Sequence, residues 1–265
     1  WMLMVGAIGM LSSSLPVQYF LPLVGWRAIF LCLAFLTFVC ILLIITFIPK
    51  WQSKSIDNKH FNESKLSTVW KNPLFRSLVP MGFFSYGGLF AIQTLWAGPW
   101  MIRVSGYTPE ESARGLFIIY LCMLISFLVW GYFVPKFSKN VNDAIRLLKI
   151  GAPLSLCVLM LIIYLGPKAG SIHWALFIVS SIFLSLTQPA VGMAFSLSNA
   201  GKALTSFNLL IFIGAFFIQW IIGLIIDAGI AFNLSEIDSF KVAMTFVLIT
   251  SLLSYLFFLR KVKIN

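Results

Sequence analysis

The sequence predicts an all-α, polytopic transmembrane helical bundle of about eight spans. Three observations carry this. Of the 265 residues, 60% are apolar and only 10% are charged, where a soluble domain carries about 25%. Apolar runs recur along the chain at 1–23, 28–48, 74–102, 112–134, 146–165, 172–195, 204–226 and 242–259, each close to the roughly 20 residues that cross about 30 Å of hydrocarbon as a helix. Lipid admits only helices or closed barrels, and these runs lack the ten-residue alternation of barrel strands. The composition excludes a soluble globular protein, a disordered chain and a secreted disulfide scaffold.

The first run opens at Trp1 without a polar leader or the charged start and short apolar core of a signal peptide; the sequence reads either as a fragment, the expectation favoured by the repeat of its helix pairs, or as starting at Met2 or Met4. It holds small residues and a proline, Gly6, Gly9, Ser12, Ser13, Ser14 and Pro16. Trp26-Arg27-Ala28 opens the second run. The stretch 49–73 is the only long hydrophilic one; its Lys, Ser, Asn and Gln without apolar period read as a cytoplasmic linker. It divides the chain into residues 1–48, with two helices, and 74–265, with six. Phe240-Lys241-Val242-Ala243 opens the eighth run much as Trp26-Arg27-Ala28 opens the second, as expected if both pairs of runs end a repeated half.

Charge placement sets the orientation. The net charge is +11, but the cations lie between apolar runs rather than in a stripe on a folded face, which argues against nucleic acid as a partner. Lys50, Lys54, Lys59, Lys65, Lys71 and Arg76 surround the linker, Lys136, Lys139, Arg146 and Lys149 the fourth connection, Lys202 the sixth, and Arg260, Lys261 and Lys263 the tail. Only Arg27, Arg103, Arg114, Lys168 and Lys241 fall on the opposite side. The positive-inside rule then places the linker and the C-terminus in the cytoplasm.

The junction Gly25-Trp26-Arg27-Ala28-Ile29-Phe30, the helix end Leu95-Trp96-Ala97-Gly98-Pro99-Trp100 and the stretch ALTSFNLLIFIGAFFIQW at 203–220 resemble the major facilitator superfamily of transporters, the last two a bacterial subset of it. The resemblance covers the whole chain. It implies helices five to twelve of a twelve-helix fold, a bacterial inner-membrane location, and the first four helices of the same protein as a missing partner. It also implies that the second, fifth and eighth runs are peripheral. Two departures stand out. Pro135 occupies the place where the family's loop signature carries an acid, although Lys136 and Lys139 are present, and the first run has a looser Gly-Pro arrangement than antiporters show.

A solute carrier must present polar groups to a cavity near the bilayer midplane, since lipid-facing positions cannot bear them. Amides inside the runs are therefore informative. They are Gln18, Gln93, Gln188, Asn208 and Gln219, and the second, fifth and eighth runs have none. Asn208, Phe212, Ala215 and Gln219 fall on one face at helical spacing, and Tyr86, Phe90 and Gln93 form a second row with Trp96 or Trp100 at its outer end. The expected substrate-binding set is Tyr86, Gln93, Trp96, Gln188, Asn208 and Gln219, acting on a small-molecule solute within the lipid bilayer. The other reading of each amide is a hydrogen bond that merely joins two helices. Gly98-Pro99 marks a bend, as a fixed kink or a gate.

No ionisable side chain lies at the centre of a run, so a proton relay would belong to the absent first half. His60 and His173 are isolated, Cys32, Cys40, Cys122 and Cys157 form no Cys-x-x-Cys pair, and there is no phosphate loop or His-Glu-x-x-His. No metal, cofactor or enzymatic activity is expected. The reading is a secondary active transporter of a small solute by alternating access. The alternatives are a non-transporting integral membrane protein or inactive transporter remnant, and then a membrane-embedded enzyme.

Overall fold

The computed structural model of the protein describes residues 2–47 and 66–262. All regular structure among them is helical. We number the helices α1 (Met2–Ser12), α2 (Leu15–Phe47), α3 (Leu66–Lys71), α4 (Pro73–Arg103), α5 (Pro109–Phe137), α6 (Val141–Leu165), α7 (Ser171–Met193), α8 (Leu197–Ala231) and α9 (Glu236–Lys261). Seven of these, all but α1 and α3, are long and apolar enough to cross a membrane. The all-helical transmembrane architecture expected from composition is the observed one.

Hydropathy marks eight runs, and the difference lies within 1–48. The first run is broken at Ser13 and Ser14, whose hydroxyls donate back to the carbonyls of Met10 (2.8 Å) and Leu11 (2.7 Å) just before Pro16, which has no N–H to give. Beyond the break the helix continues into the second run through Gly25, at φ +75° and ψ 161°. A glycine takes that conformation without the penalty a Cβ would bring, so the chain turns there without leaving helix for more than one residue. The expected linker at 49–73 falls largely in 48–65, outside the described residues, as does His60. Its final part is α3, which buries Val69.

Polar caps carry the helices beyond their apolar runs. The Thr108 hydroxyl accepts from the Glu111 N–H at 3.2 Å, and the Glu111 carboxylate accepts from the Thr108 N–H at 2.8 Å, which starts α5 at Pro109 rather than 112. The side chains of Asn72, Asn140 and Ser235 accept from first-turn N–H groups and cap α4, α6 and α9 without the reciprocal bond. Within the spans, hydroxyls such as those of Thr37, Thr46, Ser126 and Thr250 donate to carbonyls one turn back. That satisfies them where no water is present.

α4 is the most enclosed span and α2 the least: 61% of the most apolar stretch of α4 is buried and none of that of α2. α1 and α2 lie along α5, with Ala7 buried at the contact. The helices α4 to α9 pack into one bundle. The end that holds the start of α4 is filled by Phe75, Phe195 and Phe207 and the opposite end by Trp100, Trp174 and Phe240, all in edge-to-face array.

Besides α2 at Gly25, two spans depart from α geometry. α4 is π-helical at Met81–Tyr86 and at Ile92–Trp96, and α7 is 3-10-helical at Ser181–Leu186. Gly98-Pro99 does not interrupt α4, which continues to Arg103. The local departure there is the π turn that ends at Trp96, immediately before it.

Candidate functional site

The six residues singled out by sequence fall in three places on α4, α7 and α8. The first is a pair near the start of α8. Gln188 Nε2 on α7 donates to Asn208 Oδ1 at 3.4 Å, with Asn208 exposed and Gln188 half-buried. Pro189 comes next after Gln188, and its missing N–H accompanies the irregular stretch that delivers the amide to this face.

The second place is toward the other end of α8. Gln219 Nε2 donates to Thr94 Oγ1 at 2.8 Å, Thr94 in turn donates to the Phe90 carbonyl at 2.6 Å, and the Trp96 indole N–H donates to the Gln219 carbonyl at 3.2 Å. Trp96 thus holds the backbone of the residue whose side chain Thr94 holds. Asn208 and Gln219 are eleven residues apart on α8, about 16 Å along a helix. They therefore form two stations rather than one cluster.

Between the stations runs an aromatic strip. The Tyr86 and Phe90 rings lie 5.4 Å apart at a tilt, and Phe90 and Phe212 6.0 Å apart. Phe212 is more than half exposed. From Arg76 to Arg103 on α4, and from Lys202 to Asp227 on α8, no Asp, Glu, Lys, Arg or His intervenes. The strip and its ends offer ring faces, amides and the Thr94 hydroxyl, and no charge.

The third place lies behind the strip. Gln93 is buried at 5% exposure and, with Tyr86, Ser126, Ser181 and Ser185, lines a cavity of about 20 Å³ between α4, α5 and α7. That is room for one water. No protein group hydrogen-bonds the Gln93 side-chain amide among the described residues; its backbone carbonyl accepts from the Tyr120 hydroxyl at 2.8 Å. The structure therefore separates Gln93 from Gln188, Asn208 and Gln219. Trp100 is a core residue, fully buried, with its indole donating to the Ala169 carbonyl at 3.2 Å. Gln18 is exposed on α2.

Sequence spacing missed Thr94 and the serines of the buried cavity. Thr94 sits one residue after Gln93, so on an α-helix the two point about 100° apart. The π turn at Ile92–Trp96 changes the register of every residue beyond it. Ser126, Ser181 and Ser185 look like ordinary helix serines in the sequence, and only packing reveals that they converge.

The arrangement comprises a bundle of spanning helices, an uncharged strip with a hydrogen-bonding pair at each end, and two further helices laid against α5. It is what a membrane carrier needs to hold a solute away from lipid. A search of curated proteins finds no match. The sequence profile of the Major Facilitator Superfamily matches residues 1–219, from α1 to the second amide of α8, and so takes in every residue of the two stations. The chain belongs to the major facilitator superfamily of membrane transporters.

Proposed function

We propose that the protein is a secondary active transporter that moves a small, uncharged solute by alternating access, and that the strip between the two amide pairs is its path. The supporting observation is the spacing of Asn208 and Gln219 on either side of an aromatic stretch without charge. Each pair is already satisfied internally, Gln188 with Asn208 and Gln219 with Thr94. A solute that binds must therefore replace one hydrogen bond with another, which keeps the exchange nearly neutral and lets the solute leave again.

In this reading Gln188 and Asn208 receive the solute on the cytoplasmic side, Gln219 with Trp96 on the outer side, and the Phe90 and Phe212 rings stack against its apolar face in passage, while Tyr86, only 4% exposed, backs Phe90 from the bundle interior. Gln93 stabilises the wall behind Tyr86. Residues 1–48 would belong to one half of the transporter and 74–265 to the other, joined by the stretch at 49–73, and rocking of one half on the other would expose the stations in turn. The Lys and Arg distribution supports a cytoplasmic C-terminus, and the resemblance of 95–100 and 203–220 to bacterial members supports a bacterial inner membrane.

The test is counterflow in vesicles that carry the intact gene product, with a labelled hexose, a nucleoside and an aromatic amide, each beside a charged analogue. Accumulation of an uncharged probe and exclusion of its charged analogue are expected. Correctly inserted protein that moves none of them would instead favour a non-transporting membrane protein.

A further inference from the structure

Where the end of α3, the start of α4 and the end of α9 meet, the surface opens into a groove of about 430 Å³. The cation distribution assigns this face to the cytoplasm. Lys71, Arg76 and Lys261 line the groove, together with Trp70, Pro80 and Phe257. Lys71 ends α3, Arg76 lies in the first turn of α4 and Lys261 in the last turn of α9. The three cations therefore come from three separate elements and meet at one level. Among the described residues no carboxylate lines the groove, and the two ion pairs among those residues, Arg103 with Glu236 and Arg114 with Glu110, lie away from it and involve none of these cations.

The floor is apolar and its position is interfacial. Trp70 is about two-fifths exposed and packs edge-on to buried Phe75 at 5.3 Å, the amphipathic placement favoured at the headgroup level. Phe257, equally exposed, lies one turn deeper on α9 than Lys261. A ligand that fits must carry negative charge outward of an apolar chain.

We propose that this groove binds the phosphate headgroup of an anionic membrane lipid, with the acyl chains descending along Phe257 and Pro80. Basic pockets between spanning helices on the cytoplasmic side recognise such headgroups. The distinguishing feature here is convergence: α4 and α9 belong to the same six-helix bundle, so a bound lipid ties its first and last helices together at one end. Lipid binding at this groove is independent of what the protein transports.

Native mass spectrometry of the full-length protein in dodecylmaltoside tests it, with dioctanoyl phosphatidylglycerol, dioctanoyl phosphatidylcholine and inorganic phosphate as probes. One phosphatidylglycerol should bind about tenfold or more tightly than phosphatidylcholine, and equimolar inorganic phosphate should not displace it. The triple variant Lys71→Gln, Arg76→Gln, Lys261→Gln should lose that preference, while Lys136→Gln with Lys139→Gln, at another corner of the same face, should keep it. If the triple variant does not fold, wild-type protein decides: raising NaCl from about 0.1 to about 0.5 M should weaken phosphatidylglycerol and spare phosphatidylcholine. Equal affinity for the two lipids, a salt-insensitive preference, or full binding by the folded triple variant overturns the proposal. Displacement by inorganic phosphate overturns the lipid assignment in favour of a free anion.

Discussion

Gly87 on α4 and Gly214 on α8 bring two spanning helices into backbone contact. A Cβ on Gly87 would lie 2.8 Å from the Ala215 nitrogen, and one on Gly214 would collide with the Phe83 carbonyl oxygen. Both glycines are helical, so neither is needed for a left-handed turn; the requirement is space. Gly214 stands between Asn208 and Gln219, which makes the waist of the α4–α8 pair coincide with the middle of the proposed path. Gly214→Ala should therefore cost about 1 to 3 kcal/mol through forced backbone displacement, read as a lowered unfolding temperature in detergent. Gly201→Ala, where a Cβ meets nothing within 4 Å, is the control and should not lower that temperature, since alanine favours the helix over glycine.

The two stations make separable contributions. Each amide pair joins helices with an energy of about 0.6 kcal/mol, up to about 1.7, so Asn208→Ala and Gln219→Ala should leave insertion and stability close to wild type. Each also removes one partner for the solute, worth about 0.5 to 1.5 kcal/mol. Half-saturation should therefore rise by about two- to tenfold for each variant, with Asn208→Ala acting on cytoplasmic-side binding and Gln219→Ala on outer-side binding. Gln93→Ala should lower the maximal rate more than it changes half-saturation, because Gln93 sits behind the strip. Initial rates measured from each side of sealed vesicles separate these outcomes.

The contact between α1 and α5 tests the division of the chain. Met4 and Gly131 line one apolar crevice there, and no Cβ at Gly131 would meet an obstacle. Once the four free cysteines, Cys32, Cys40, Cys122 and Cys157, are replaced by serine, Met4→Cys with Gly131→Cys should accept a short bifunctional linker. If residues 1–48 and 74–265 rock against each other, that linker abolishes transport and reduction of a cleavable version restores it. Transport that survives the linker would show that this contact is fixed.

Orientation is accessible to labelling. Single cysteines at Lys139 and Lys261 should react with a membrane-impermeant maleimide only after permeabilisation, and cysteines at Lys168 and Asp238 in intact cells. The reverse pattern would invert the two stations along with the topology.

Legibility in the sequence differs by level. The spanning helices are plain there because hydrocarbon selects composition directly, and a run such as 204–226 leaves few other options. The helix ends are not, because Thr108, Asn140 and Ser235 extend helices through polar residues that hydropathy discounts. The row on α8 is readable since α8 is regular from Leu197 to Ala231. The row on α4 is readable only in part, because two π turns alter its period. Pairing is invisible in every case: nothing local in Gln219 announces Thr94, 125 residues away.

The 3-10 stretch of α7 invites the most direct test of movement. Phe183 lies over Gly151, where any Cβ would collide with its ring, and the Trp130 ring stands edge-on to Phe183 at 4.8 Å while its indole donates to Ser185 Oγ at 3.1 Å. The hydroxyls of Ser181 and Thr187 donate back to the carbonyls of Phe177 and Leu184, and Pro189 withholds the N–H that an α-helix would give the Ser185 carbonyl. Neighbouring helices and local chemistry thus hold the stretch out of α geometry, as expected of a hinge. Pro189→Ala returns the missing donor, so α7 should become more regular, the unfolding temperature should rise, and the transport rate should fall as the hinge stiffens. Gly151→Ala should do the opposite to stability, by about 1 to 3 kcal/mol of overpacking. A Pro189→Ala protein that is more stable and transports at the wild-type rate would show that α7 holds Gln188 in place without bending.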